Sequence, residues 1–295
     1  MKILAYRVHQ HGDITLPELL ESLSNRSIAD RIFEGKATGM RLEDYRREGD
    51  NYFADFAIKR FGHGPGRLSD DQRIAEIELA PGESFGEDTG VLFHEPTNSL
   101  IVQYNHVGPR LTRIQHYLHA AHLQADGRRR RPRGAGGQAY GFGFGAVLKP
   151  GAIQKIRDMG LVREFEFEIA VPGVNRADLA AGRSLSGVLD APLPDGIERL
   201  KISMVANSSR DSHMDRGVVM GYINDLLAAR HIVQSANVKG REFDLAKTED
   251  LSLLDEQLDI DLEVRVGAGG RSAQADRWRA LTTALDGWIE NGDIV

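Results

Sequence analysis

The sequence predicts an α+β protein with mixed, mainly antiparallel sheets and segregated helices, in two parts. Three observations predict it. Apolar runs come in pairs joined by short turns, as residues 89–94 and 100–105 do around 95–99, which is the pattern of a hairpin. The helical stripes fall singly between groups of strands, without the regular alternation of a βαβ parallel sheet. A stretch rich in arginine and glycine then interrupts the chain near its middle. The expected organisation is an N-terminal α+β domain at 1–126, a basic Gly/Arg loop at 127–138 and a C-terminal α+β domain at 139–295.

The elements follow in chain order. Residues 2–9 read as a strand through Ile3, Ala5 and Val8. Thr15 stands before Leu16, Pro17 and Glu18, an N-cap with proline just inside and an acid in the first turn. Leu16, Leu19, Leu20 and Leu23 share one face of that helix. Residues 40–45 and 52–59 predict two strands around a turn at 46–51. In the second strand Phe53, Asp55 and Ala57 alternate with Tyr52, Ala54, Phe56 and Ile58. A polar linker spans 62–71, and 73–79 reads as another strand through Ile74 and Ile77. After the hairpin, Gly108-Pro109 opens a helix with proline at its first position and Leu111, Ile114, Leu118 and Ala121 as its stripe.

The second half opens with a strand at 140–148, glycines 141, 143 and 145 on one face and Phe142 and Phe144 on the other. A helix through Ile153, Ile156 and Met159 follows. Residues 161–171 form the clearest half-buried strand, Phe165, Phe167 and Ile169 alternating with Glu164, Glu166 and Glu168. A loop at 172–195, a strand at 199–206, a helix at 216–231 and strands at 233–245 and 258–266 complete the pattern. The last helix, 272–290, carries Trp278, Leu281, Leu285 and Trp288 on one stripe. Such a stripe buries a large area, either under a sheet or against a second copy, and a homodimer is expected.

The chain has 295 residues, 41% hydrophobic and 27% charged, which suits a globular protein with a core. It contains no cysteine, so disulfides, thiolate zinc sites and cysteine nucleophiles are excluded. The opening MKILAYRVHQHGD lacks the apolar region of a signal peptide, and no later run approaches the ~20 residues that span a bilayer. The expectation is a cytoplasmic protein that is not itself membrane-embedded.

The densest positive charge is Arg128, Arg129, Arg130, Arg131 and Arg133, in a chain of formal net charge -6. Pro132 and the following glycines forbid a regular helix there. Guanidinium forks match phosphate oxygens, so the stretch reads as a grip on a nucleic-acid backbone, or else as a solvated connector. Arg110 and Arg113 flank the start of the preceding helix, where free N–H groups and the macrodipole favour anions. Gly134-Ala135-Gly136-Gly137 has a helix before it and a strand after it, the reverse of a dinucleotide-binding loop. His116, His119 and His122 drift around a helix instead of converging on a metal. Asp259, Asp261, Glu263 and the three glutamates at 164, 166 and 168 read as solvated sheet faces, with magnesium binding by a nuclease as the rival. Residues 207–213 gather hydroxyls, an acid and a histidine in a loop that caps the next helix. No catalytic residue, metal site or cofactor is expected.

The run TGVLFHEPTNSLIVQYNHVGPRLTRIQHYL, with the later strand ending in VPG, resembles the Rex-like phage-exclusion proteins of temperate phages. The resemblance covers about a third of the chain and no catalytic motif. It implies a homodimer that binds double-stranded DNA without sequence preference and acts in phage exclusion. It also implies a membrane partner protein encoded nearby. The arginine run matches no motif of that family. The reading from sequence is therefore a nonspecific double-stranded DNA-binding protein of antiviral defence without catalysis of its own. A metal-dependent nuclease and a protein-interaction scaffold with a basic docking loop are the alternatives.

Overall fold

The computed structural model describes residues 1–11, 13–33, 39–60, 65–125, 141–151, 154–155, 158–170, 199–207, 212–228, 233–241, 247–252, 256–267 and 271–295. Among them the fold is α+β, with mainly antiparallel sheets, as the pattern of paired strands predicts.

The main sheet is built on β1 (Lys2–His11), β2 (Met40–Glu48), β3 (Asn51–Lys59), β6 (Gly86–His94) and β7 (Ser99–Gln103). Two further strands, β8 (Gly141–Ala146) and β13 (Asp259–Asp261), complete it. The order is β13-β1-β7-β6-β3-β2. Along the outer side of β1, residues 2–4 pair with β13 and residues 6–11 with β8. The β2–β3 turn is two residues long, with Gly49 at φ 59. Glycine takes that value without strain, and the turn's twist suits a tight hairpin. Both strands of the pair are therefore longer than the sequence pattern suggests.

One face of this sheet is covered by α1 (Leu16–Ser24) and α2 (Leu111–Ala125), the other by the last helix, α4 (Gln274–Glu290). Burial on both faces explains why β3 is buried from Tyr52 to Phe56 without alternation. α1 starts where the sequence says it should. Thr15 accepts a hydrogen bond from Glu18 N, and the Glu18 carboxylate accepts one from Thr15 N at 2.7 Å, a complete capping box. Those bonds from Thr15 also hold the Glu18 carboxyl below its usual range. Thr15→Ala is expected to cost about 1 kcal/mol of global stability, read from urea unfolding. An unchanged midpoint would show that α1 is held by Leu16, Leu19, Leu20 and Leu23 alone.

A second sheet, β10-β9-β11-β12, joins β9 (Leu161–Ala170), β10 (Arg199–Val205), β11 (Val233–Arg241) and β12 (Glu249–Ser252). Phe165, Phe167 and Ile169 face α3 (Arg216–Ala228), packing on Val219, Ile223 and Leu226. Opposite them, Glu166 pairs with Lys201 at 3.0 Å and Glu164 approaches Lys239 at 3.9 Å.

The structure redraws the boundary expected at 127–138. β8, β13 and α4 all come from beyond that stretch and belong to the first sheet and its core. The reason is the length of β1, whose outer side needs two partners, and both lie late in the chain. The Trp278, Leu281, Leu285 and Trp288 stripe is spent under this same sheet, Trp278 stacking on Phe53 at 5.2 Å. It is not a free surface for a second copy. The strand expected at 258–266 is regular only over Asp259–Asp261.

Candidate nucleic-acid interface

The site expected from sequence is organised by α2. Its entry is pinned from the sheet: Thr89 Oγ1 donates to Pro109 O at 2.9 Å, and Asn105 Nδ2 donates to Asp88 O at 2.6 Å. The amides of Arg113 and Ile114 donate to Arg110 O at 2.9 and 3.0 Å. Arg110 thus caps the helix and Leu111 is its first residue, two positions later than the proline suggested. Arg110 is exposed, and Arg113 is half-buried with its Nε without a hydrogen-bond partner.

The inward stripe is Ile114, Tyr117, Leu118, Ala121 and His122. Tyr117 fixes the helix rotation, since its hydroxyl accepts from Leu42 N at 3.0 Å and donates to Arg31 O at 2.7 Å. Burial pushes that phenol up to about 12. The three histidines separate as expected. His122 is buried edge-on against Phe142, 5.7 Å between centroids, while His116 and His119 face out. Among the described residues no group of three or more His, Cys, Asp or Glu side chains converges on a metal position.

Arg128, Arg129, Arg130, Arg131 and Arg133 lie outside the described residues. Their anchor points are described: α2 ends at Ala125 and β8 begins at Gly141, against the end of β1. The helix rises ~1.5 Å per residue, so its two ends stand roughly 22 Å apart, about six base pairs of duplex.

A stronger signal than the arginine run was missed in the sequence. Between residues 96 and 157 there are ten lysines and arginines and one acid, Asp126. The rest of the chain is correspondingly acidic. α2 contains no Asp or Glu at all.

A second cluster of charged side chains was also missed. A cleft of about 730 Å³ opens at the N-terminus of α4, lined by Glu43, Asp44, Asp55, Asp88, Arg271 and Gln274 among others. Asp55 faces Gly90 across β3 and β6, and Ala57 faces Asp88, so both carboxylates lie on the face that α4 covers. Arg277 Nη2 reaches each at 2.9 Å. Asp55 also accepts from Gln274 at 2.7 Å and from Trp278 Nε1 at 3.0 Å. A Cβ at residue 90 would sit 3.1 Å from Asp55 Oδ1, so Gly90 leaves the room this carboxylate needs. Burial raises the Asp55 pKa, against the pull of Gln274, Arg277 and Trp278. The hint in the sequence was one charge inside the apolar run of β3.

No protein-family model matches this chain, and no curated protein is significantly similar to it. Among the described residues no helix is long and apolar enough to cross a membrane.

Proposed function

We propose that this protein binds double-stranded DNA through its phosphate backbone, without sequence preference and without catalysis of its own, in the exclusion of infecting phage. The observation that carries the binding is the segregation of charge: ten cations against one acid between residues 96 and 157, in a chain of net charge -6. Such segregation aims a local positive field while the acidic remainder repels DNA elsewhere. α2 presents Arg110 at one end and leads into the arginine stretch at the other. The setting in phage exclusion, with a membrane partner encoded nearby, follows from the Rex-like resemblance, and a homodimer would double the footprint.

The absence of catalysis rests on how carboxylates are used. Asp259 is clamped by Lys2 at 2.9 Å and Lys149 at 2.5 Å, and those hydrogen bonds, Lys149 first, hold its pKa down. Glu164 and Glu166 sit beside Lys239 and Lys201. Purified protein is expected to retard unrelated duplexes of equal length alike, and to leave plasmid uncut in magnesium or manganese. Cleavage abolished by Asp261→Ala or Glu263→Ala would establish the nuclease instead. Heparin or an acidic peptide binding as tightly as duplex would establish the scaffold.

A further inference from the structure

The cleft at the start of α4 holds more hydrogen-bond donors than its own acceptors use. Each of its five carboxylates already takes a donor. Glu43 accepts from Arg41 at 2.7 Å, and Asp276 from Arg279 at 2.9 Å. Asp44 accepts from Gln274 at 2.9 Å, and Asp88 is paired with Arg271 at 2.8 Å. Asp55 accepts from Gln274, Arg277 and Trp278. What is left over donates. Arg265 lines the cleft, is exposed and, among the described residues, makes no hydrogen bond or ion pair. α4 starts after Ala273 without a side-chain cap, in contrast to the capping box of α1. Its first amides therefore keep the affinity of a bare helix start for anions. Arg277 lines the same cleft and is only 4% exposed. It gives Nη1 to Ser272 O at 2.8 Å and Nη2 to the two aspartates, and its Nε has no hydrogen-bond partner. A buried donor left unmatched marks a place where an acceptor is missing.

We propose that this cleft binds a small organic acid, whose carboxylate accepts from the first amides of α4 and from the guanidiniums of Arg265 and Arg277. A planar carboxylate matches a guanidinium fork and accepts from helix amides as well. The volume of about 730 Å³ suits a small-molecule ligand. Charge decides between anions. The lining carries three guanidiniums against five carboxylates, so a second negative charge on the ligand meets more repulsion than the first. A monocarboxylate is favoured over a phosphate dianion for that reason. The site goes beyond the DNA-binding reading, since it uses no residue between 96 and 157 and needs no nucleic acid.

Titration of the isotope-labelled full chain with sodium acetate, at constant ionic strength and without DNA, tests it by nuclear magnetic resonance. The amides of Gln274 and Ala275 and the Nε–H of Arg277 are expected to shift and saturate, with a dissociation constant of about 1–10 mM. Inorganic phosphate should bind more weakly than acetate, and methylammonium should leave these signals unmoved. Arg265→Ala should raise the acetate dissociation constant about fivefold with the urea midpoint unchanged, because the side chain is exposed. Ala273→Asp supplies a carboxylate of its own at the N-cap and should abolish acetate binding in a folded protein. Shifts that stay linear to about 100 mM acetate would overturn the proposal. So would an affinity left unchanged by either substitution, or tighter binding of phosphate or methylammonium than of acetate.

Discussion

Asp55→Ala is expected to cost about 3–5 kcal/mol of folding stability, the largest effect of any single substitution argued from this structure. The loss comes less from the attraction removed than from what is left behind. Arg277 is only 4% exposed and keeps its Nε without a partner even in the parent. Removing Asp55 would also strip the acceptor from buried Trp278 Nε1 and one acceptor from Gln274. Asp55→Asn should cost much less, because the amide oxygen still accepts and Asp88, with Arg277 at 2.9 Å, still neutralises the guanidinium. Urea unfolding of the three proteins at neutral pH checks this. Equal losses for alanine and asparagine would mean that the charge, and not the hydrogen bonding, holds α4 to the sheet.

The same pair carries a pH signature. Burial raises the Asp55 pKa above its ordinary 3.8 in the folded protein. The folded state then binds a proton more readily than the unfolded chain, so Asp55 contributes stability that is fully present below 3.8 and is lost as pH rises through the folded value. Asparagine has no such dependence. The parent's advantage over Asp55→Asn should therefore grow on acidification from neutrality. An advantage that shrinks would mean the neighbouring donors outweigh burial. Asp259 works in the opposite sense, its lysine bonds stabilising above the ordinary carboxylate value and failing as pH falls through the lowered one.

What could be read in the sequence was local. The capping box at Thr15, the hairpin of β6 and β7 and the alternation of β9 depend on residues a few positions apart, and each stands in the structure, the hairpin with its loop cut to 95–98 because Ser99 already pairs with His94. The partners of β1 were not legible, because Ala146 and Asp261 reach it across the length of the chain and their own segments carry no mark of the destination. Asp55 failed for a related reason. Alternation placed it on one face with Phe53 and Ala57 but could not say what covers that face, which is α4. The strand expected at 73–79 is regular only over β5 (Gln72–Ala75), which pairs with β4 (Arg67–Ser69), and its Ile74 and Ile77 are exposed. The candidate interface was legible as charge, in the arginine run and in Arg110 and Arg113. That α2 would turn His116 and His119 outward and His122 inward required the packing on Phe142 and Tyr117's bonds to β2 and Arg31.

Replacing Arg128, Arg129, Arg130 and Arg131 together with alanine is expected to flatten the salt dependence of duplex binding. Each phosphate neutralised contributes a slope of about −0.9 in log K against log salt, so three or four contacts remove roughly 3 units per loop. By the same relation affinity at about 0.1 M salt should drop by one to three orders of magnitude. The drop should be the same for every duplex sequence, because phosphate contacts position a protein without reading bases. Stability should move by less than about 0.5 kcal/mol, the usual range for solvated substitutions. Arg110→Ala, at the other end of α2, should remove about one further unit of slope if its exposed guanidinium meets the same backbone. The acidic remainder of the chain makes the effect larger than four side chains would give on a neutral protein, since it repels the duplex once they are gone. Salt titrations of the parent and both variants on two unrelated duplexes decide the matter. Equal slopes and equal affinities would reduce the arginine stretch to a connector and leave the DNA-binding proposal without its charge argument.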